Sequence, residues 1–429
     1  MDFPLHQKAA FMRISDRHLA LVVWGLGVTQ IVGYGTLYYS FSILAPEMAR
    51  DFSWSLEWVY GALSAALLAG GLVAPLTGHW IDRQGAAHIM TIGSIAAALS
   101  LAACALAPER ISFFVALLVL EVASGLVQYN AAFALLVQIA PNRAQRSITH
   151  LTLIAGFAST LFWPFTTLLH EHLTWRSVYL AFAVVNILVC LPIHWRLSML
   201  TRQKPTAAAK PLATEAAVEQ ADVPVPPEMP IRVIGSLAAS QRRKAFALMA
   251  AGFTLMSFVL SALLVHMVPM LGAVGLGAMA VLVGTVFGPA QVLARFINMI
   301  FGAGMSPARL AIVSAAALPL AIAILLATAP WLGGAIVFAL LFGAGSGLNS
   351  IVQGTLPLTL FGSDGYGALV GRITGIRLVV AAAAPFIFAF VSEQFGVHIA
   401  LVATCVVGAA SVFAFIAVTR LAGSPPVAS

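Results

Sequence analysis

Charge is what this sequence has least of. Only 9% of its 429 residues are Asp, Glu, Lys or Arg, and just fifteen are acidic. A water-soluble protein carries about a quarter charged residues, so this chain cannot cover itself with polar surface. A soluble globular fold is thereby excluded. Cysteine is almost as scarce: Cys104, Cys190 and Cys405 stand singly inside apolar runs, which suggests neither a disulfide framework nor a cysteine metal centre. A Gly-rich loop ending in Gly-Lys-Ser/Thr is missing, so any work the protein does must draw on a gradient rather than on nucleotide hydrolysis. The one metal-like stretch, His-Glu-His at 170–172, puts alternate residues about 200° apart on a helix, a poor chelating geometry. Clustered catalytic groups and a sizeable soluble domain are also lacking. No enzyme, no metal site and no cofactor is expected.

What fills the sequence is apolar. Hydrophobic residues make up 61% and mean hydropathy is +0.97. Twelve runs stand out, at 18–46, 56–80, 88–107, 111–139, 148–170, 176–197, 244–271, 276–302, 308–329, 331–357, 366–391 and 397–420. Each is long enough to cross roughly 30 Å of hydrocarbon as a helix. The first is too long for a signal-peptide core and is read as an uncleaved span. The fold class is therefore an all-α membrane protein of twelve transmembrane helices. Residues 198–243, rich in Ala, Pro and charge, read as a linker. They divide a six-helix bundle at 1–197 from another at 244–429. A weak repeat supports two pseudo-symmetric halves: "HEHLTWRSVYLAFAVVNIL" (170–188) aligns with "SEQFGVHIALVATCVVGAA" (392–410), and Pro164 and Pro385 fall late in runs 5 and 11.

The net charge of +7 follows from topology rather than from a nucleic-acid partner. With the N-terminus in the cytoplasm, sixteen Lys and Arg fall on that side, among them Lys8, Arg13, Arg83, Arg143, Arg146, Arg309, Arg420 and eight from Arg196 to Lys244. Only Arg50, Arg110 and Arg176 fall outside. The positive-inside rule then puts both termini and the linker in the cytoplasm of a multi-pass, inner-membrane-type protein.

Between runs 2 and 3 lies a polar island, "GHWIDRQGAAHIM" (78–90). Gly78 and Gly85 bracket Asp82 and Arg83, as a tight reversal using positive φ would require. An aspartate there can sit at the N-terminus of another helix. The spacing Gly, three residues, Asp-Arg, one residue, Gly resembles the signature loop of the major facilitator superfamily, although Ala86 and Ala87 stand where that pattern has two basic positions. The resemblance implies rocking of two bundles around a central site, with Gly78, Asp82, Arg83 and Gly85 as gating residues closing on run 11.

Four ionisable residues lie at membrane depth: Glu121, Arg295, Arg372 and Arg377. Such residues are costly and mark functional sites by default. Gly284, Gly288, Gln291, Arg295, Asn298 and Gly302 recur at helical spacing and form one stripe, read as the wall of a wet cavity. Gly367, Gly371, Thr374 and Arg377 form a comparable stripe on run 11. Arg372, nearer the cytoplasmic end, is read as structural or gating. Two arginines facing one cavity would repel each other unless an anion lay between them, and a guanidinium fork suits a carboxylate. The arrangement resembles the monocarboxylate- and oxalate-transporting branches of the superfamily. Gln30, Tyr34 and Tyr38, four apart on one helical face, Gln128, and Asn349 with Gln353 are further candidates for the wall. Glu121, about ten residues or 15 Å into run 4, is the expected proton carrier, and His266 a weaker one.

The sequence thus predicts a secondary active transporter moving a small organic anion, monocarboxylate-like, by alternating access with proton coupling. The expected partners are substrate, proton and bilayer, and a monomer is expected. The alternative is a multidrug or metabolite efflux antiporter. The Gly-Pro-rich signature of run 5 common among drug antiporters is absent, "GFASTLFWPF" (156–165) standing there instead.

Overall fold

A lipid-exposed chain must satisfy its own backbone, and an apolar run of this length does so as a helix. The computed structural model describes residues 16–202 and 232–423. It contains twelve spans: Asp16–Asp51, Leu56–Gln84, Ala86–Leu106, Arg110–Ile139, Pro141–His170, Trp175–Thr201, Ala239–Leu276, Met279–Phe301, Pro307–Thr328, Leu332–Phe361, Tyr366–Phe395 and Val397–Ala422. They are numbered 1 to 12 in that order. Several outrun the apolar runs by a turn, because polar end residues continue the helix past the hydrocarbon. Of the positive residues counted above, Lys8, Arg13, Lys204 and Lys210 lie outside the described residues, as does the middle of the linker, 203–231.

Spans 1–6 and 7–12 form two bundles with separate apolar cores. Phe41, Leu101, Phe113 and Trp175 sit in the first, and Phe253, Leu318, Phe338 and Phe415 in the second. A third cluster is shared. Ile81, Phe133, Leu136 and Ile148 pack with Leu358, Tyr366 and Val370 of the other bundle. This shared cluster lies toward the face that carries the start of span 1, the end of span 12 and the linker, here the linker side. Lipid offers little hydrophobic driving force between helices, so spans associate by close backbone approach at small residues.

The described end of the linker is an extended strap, tied to the turn between spans 10 and 11. Ile234 pairs with Gly362 in an isolated antiparallel bridge. The Ser236 and Leu237 amides donate to Thr359 and Leu360 carbonyls at 3.1 and 3.3 Å, and Arg232 pairs with Asp364 at 3.0 Å. The strap fixes where span 11 begins.

Four spans of the first bundle lose α-helical regularity near their midpoints, span 6 through a π-helical turn at Asn186–Cys190. Span 1 has a π-helical turn at Gly35–Tyr39. Span 4 breaks at Gln128, whose ψ of −167° leaves the helical region. Span 5 breaks after Ala155, at Gly156 and Phe157. Irregular backbone at membrane depth is tolerated where protein or a cavity receives its free polar groups.

Candidate functional site

On the linker side the halves are latched by Asp82. Its Oδ1 accepts from the Gly367 amide at 2.8 Å and its Oδ2 from the Ala368 amide at 2.7 Å. These are free N–H groups in the first turn of span 11, whose positive dipole end favours a carboxylate. Gly85 forms the reversal alone, at φ 89°. Gly78 is not part of that turn, contrary to the expectation from its flanking position. It lies inside span 2, where a Cβ would stand 2.2 Å from the Gly367 carbonyl oxygen, so its role is close approach. Gly371 likewise faces the Ala74 carbonyl, and Gly375 that of Gly71. Arg83 and Arg372 are exposed and add no hydrogen bond or ion pair to the latch among the described residues.

The structure also accounts for the missing basic pair. Ala86 and Ala87 are 0% and 2% exposed. Gln138 of span 4 accepts from the Ala86 amide at 2.9 Å and donates to the Ile81 carbonyl at 3.1 Å. Two basic side chains at 86 and 87 would be buried without partners.

Replacing Asp82 by Asn keeps an acceptor but removes the charge, worth about 0.3–1 kcal/mol at an exposed helix terminus. The variant is expected to shift the equilibrium toward opening on the linker side by roughly 2- to 5-fold. A cysteine placed at Thr359, in a background lacking Cys104, Cys190 and Cys405, should then react faster with an impermeant maleimide. An unchanged rate would show that Asp82 does not hold this side closed.

The span-11 stripe climbs the seam one residue at a time. Gly367 meets Asp82, Gly371 meets span 2, and Thr374 accepts from the Asn130 carboxamide at 3.0 Å. A second seam runs beside it: Gln145 donates to Thr359 at 2.7 Å, and Gly354 packs on Phe133 and Ile148. The cross-half hydrogen bonds among the described residues all lie in the linker-side halves of the spans. On the far side, Phe162 of span 5 packs on Gly35 of its own bundle. Tyr38 and Trp163 there are 45% and 49% exposed. The halves are tied together on the linker side, and no hydrogen bond joins them on the other among the described residues.

Arg377 and Arg295 sit where the seam ends. Arg377 is half-buried near the midpoint of span 11, in electrostatic range of the Tyr34 hydroxyl across the gap. It makes no hydrogen bond or ion pair among the described residues. Arg295 is buried and two of its three nitrogens are committed. Its Nε donates to the Gly347 carbonyl at 3.1 Å and its Nη1 crosses to the Thr152 carbonyl of span 5 at 3.2 Å. Gly156 permits that crossing, since a Cβ there would lie 2.4 Å from Nη1. Tyr39 and Tyr129 lie in range of the same guanidinium. The rings of Tyr34 and Tyr129 are 4.8 Å apart, those of Tyr39 and Trp163 5.9 Å, and Tyr34 stands 6.4 Å from Tyr39.

Several expected wall residues are elsewhere. Tyr38 does not share a face with Tyr34, because the π-helical turn inserts a residue and brings Tyr39 to that face instead. Gln30 is 1% exposed and donates to the Val127 carbonyl at 2.8 Å, supporting the break in span 4. Gln291 donates to Ser346 at 2.9 Å, and Gly343 and Gly347 press on the span-8 backbone. The upper stripe of span 8 is therefore mostly a packing face on span 10. Asn298 lies against Gly302 at the helix end. Asn349 is buried in span 10 with its Oδ1 unpartnered. Gln128 forms the break itself and is half-buried. His266 donates to the Pro385 carbonyl at 3.0 Å and stacks on Phe388, tying span 7 to span 11.

Glu121 is buried within the first bundle, in electrostatic range of Tyr38, Cys104 and Tyr179. Its Oε1 has no hydrogen-bond partner, and no arginine pairs with it among the described residues. It is thus a carboxyl group apart from the arginines, buried inside the first bundle.

Comparison with known proteins gives one family and several solved structures of similar fold. The family model described as Major Facilitator Superfamily matches residues 26–385. None of the curated proteins compared matches the chain. Among solved structures, the human organic anion transporter MFSD10 (TETRAN) is similar at 15% identity and TM-score 0.66, over 94% of this chain and 99% of that one. The E. coli fucose:proton symporter FucP is similar at 13% and 0.65, over 95% and 100%. The proton:xylose symporter XylE, bound to 6-bromo-6-deoxy-D-glucose, is similar at 11% and 0.68, over 94% and 96%. At these identities the likeness is one of fold.

Proposed function

The chain belongs to the Major Facilitator Superfamily, and on that premise we propose that it is a secondary transporter carrying a small organic anion across the cytoplasmic membrane, with proton coupling. The single observation that carries the substrate charge is Arg377, a guanidinium at mid-depth with no carboxylate partner among the described residues. A cation there costs about 2.5–3.5 kcal/mol on insertion scales. It is retained to advantage if a substrate carboxylate offsets that cost. Arg295 adds positive field from beside the opposite wall while its donors hold spans 10 and 5.

The lysine and arginine asymmetry puts the linker side in the cytoplasm, so a molecule tied together on that side is the outward-open one. Anion entry from the far side, release of the Asp82 latch and rocking of the bundles complete the cycle. Glu121 is the proton carrier in this reading, since a buried carboxyl group can exist with or without its proton while arginine stays charged. The similar fold of the human organic anion transporter MFSD10 is consistent with this chemistry; the two sugar symporters favour a proton-coupled cycle.

A thermal-stability screen of the purified protein against carboxylates, neutral sugars and lipophilic cations tests the substrate charge. At least one carboxylate should raise the midpoint, and sugars and cations should not. Stabilisation by cations or sugars alone would reject the reading and, for cations, favour drug efflux. For coupling, Glu121→Gln is expected to keep substrate exchange in proteoliposomes and to lose accumulation driven by a pH gradient. Undiminished accumulation would remove Glu121 from the proton path.

A further inference from the structure

The site has one free fork and a wall of rings. Arg295 spends Nε and Nη1 on the carbonyls of Gly347 and Thr152, which leaves Arg377 as the guanidinium with its whole face available. The Tyr34 hydroxyl is positioned to accept from the Tyr129 amide, freed by the break in span 4, and the Tyr39 hydroxyl lies within reach of Ser159. These two hydroxyls are engaged by the protein, and what they leave toward the gap is ring surface. Trp163, Tyr39, Tyr34 and Tyr129 form a continuous chain of contacts at 4.8 to 6.4 Å between centroids. The chain starts at Trp163, which is 49% exposed on the far side, and descends to the level of Arg377.

Tyrosine and tryptophan in membrane proteins concentrate at the two interfaces. Tyr34, Tyr39 and Tyr129 lie near mid-depth, Tyr34 in range of Arg377 and Tyr39 and Tyr129 in range of Arg295, a depth that suits a ligand rather than interfacial anchoring. A second carboxylate would find only the remaining Nη2 of Arg295, whose Nε and Nη1 are already spent, and its desolvation would be poorly compensated. A flat ring would find edge-to-face partners worth about 0.5–1.5 kcal/mol per pair beyond area burial.

Resting on the anion reading above, we infer that the substrate is a monocarboxylate on a flat aromatic body, its carboxylate on Arg377 and its ring against Tyr34, Tyr39 and Trp163. Short aliphatic acids and dicarboxylates are the classes this site disfavours.

The test is competition for radiolabelled benzoate on the full-length protein in nanodiscs. Acetate and malonate should each compete about ten-fold or more weakly than unlabelled benzoate, and cyclohexanecarboxylate should fall between. Tyr39→Leu combined with Trp163→Leu should weaken benzoate about ten-fold and leave acetate's own affinity unchanged. Malonate binding more tightly than benzoate, or acetate equal to it, overturns the inference while leaving the anion reading intact. Failure of every carboxylate to bind overturns both. The ranking on the unmodified protein decides the matter even if the double variant does not fold.

Discussion

Valine at Gly78 is expected to abolish transport while leaving the protein folded in the membrane. The added Cβ would lie 2.2 Å from the Gly367 carbonyl oxygen, 2.8 Å from its carbonyl carbon and 3.1 Å from the Ala368 Cα. All three are backbone atoms, and none can rotate away. Spans 2 and 11 would have to part along a seam that also includes Gly71, Gly371 and Gly375. Overpacking of this kind costs roughly 1–3 kcal/mol, and the separation withdraws the Gly367 and Ala368 amides from Asp82. At the upper end the closed state loses about two orders of magnitude in population. The second core reaches the seam at Ile373, but the cores around Phe113 and Phe338 are built mainly from other spans, so each half should still form. The measurements are transport rate in proteoliposomes and maleimide reactivity of a cysteine at Thr359. A Gly78→Val protein that transports normally would show that the seam need not close.

Glutamine at Arg377 is expected to remove substrate binding and, at the same time, to raise the thermal stability of the substrate-free protein. Truncating one partner of a buried charge pair costs about 2–5 kcal/mol, or roughly 30-fold to several-thousand-fold in affinity. Without substrate, that guanidinium is an uncompensated charge at mid-depth, so deleting it relieves a cost. Arg295→Gln should have the opposite stability sign. It breaks the bonds to Gly347 and Thr152 and with them a tie between the halves. Arg372→Gln should change neither quantity much, because Arg372 is exposed and unpaired among the described residues. Melting curves of the three variants with and without a carboxylate separate the roles. A destabilised Arg377→Gln protein would mark Arg377 as structural.

The span count and the two-bundle division were legible because they depend on run length and charge asymmetry, and the pairing of Asp82 with span 11 only through the resemblance that its spaced motif carries. The wall of the site was not, and the reason is specific. Helical periodicity places Tyr38 beside Tyr34, but a π-helical turn at Gly35–Tyr39 shifts the register by one and substitutes Tyr39. Similarly, spacing alone cannot tell a cavity stripe from a packing stripe, and Gln291 proved to face span 10. Gly78 flanks a polar island and so suggests a turn former, whereas its need is set by a helix almost 300 residues away. Tyr129, Asn130, Thr152 and Gly156 were missed altogether, since their partners lie on other spans. One signal was present: Gln128, Tyr129 and Asn130 are three consecutive polar residues in the middle of an apolar run, a sequence that an unbroken lipid-facing helix would not keep.

The most direct test of the central claim is uptake of a carboxylate panel by proteoliposomes holding the unmodified protein or Arg377→Gln under an imposed pH gradient. The account predicts saturable uptake of at least one monocarboxylate by the unmodified protein, lost in Arg377→Gln and kept in Arg372→Gln. Uptake that is equal in the protein with and without Arg377, or confined to neutral or cationic solutes, would contradict it.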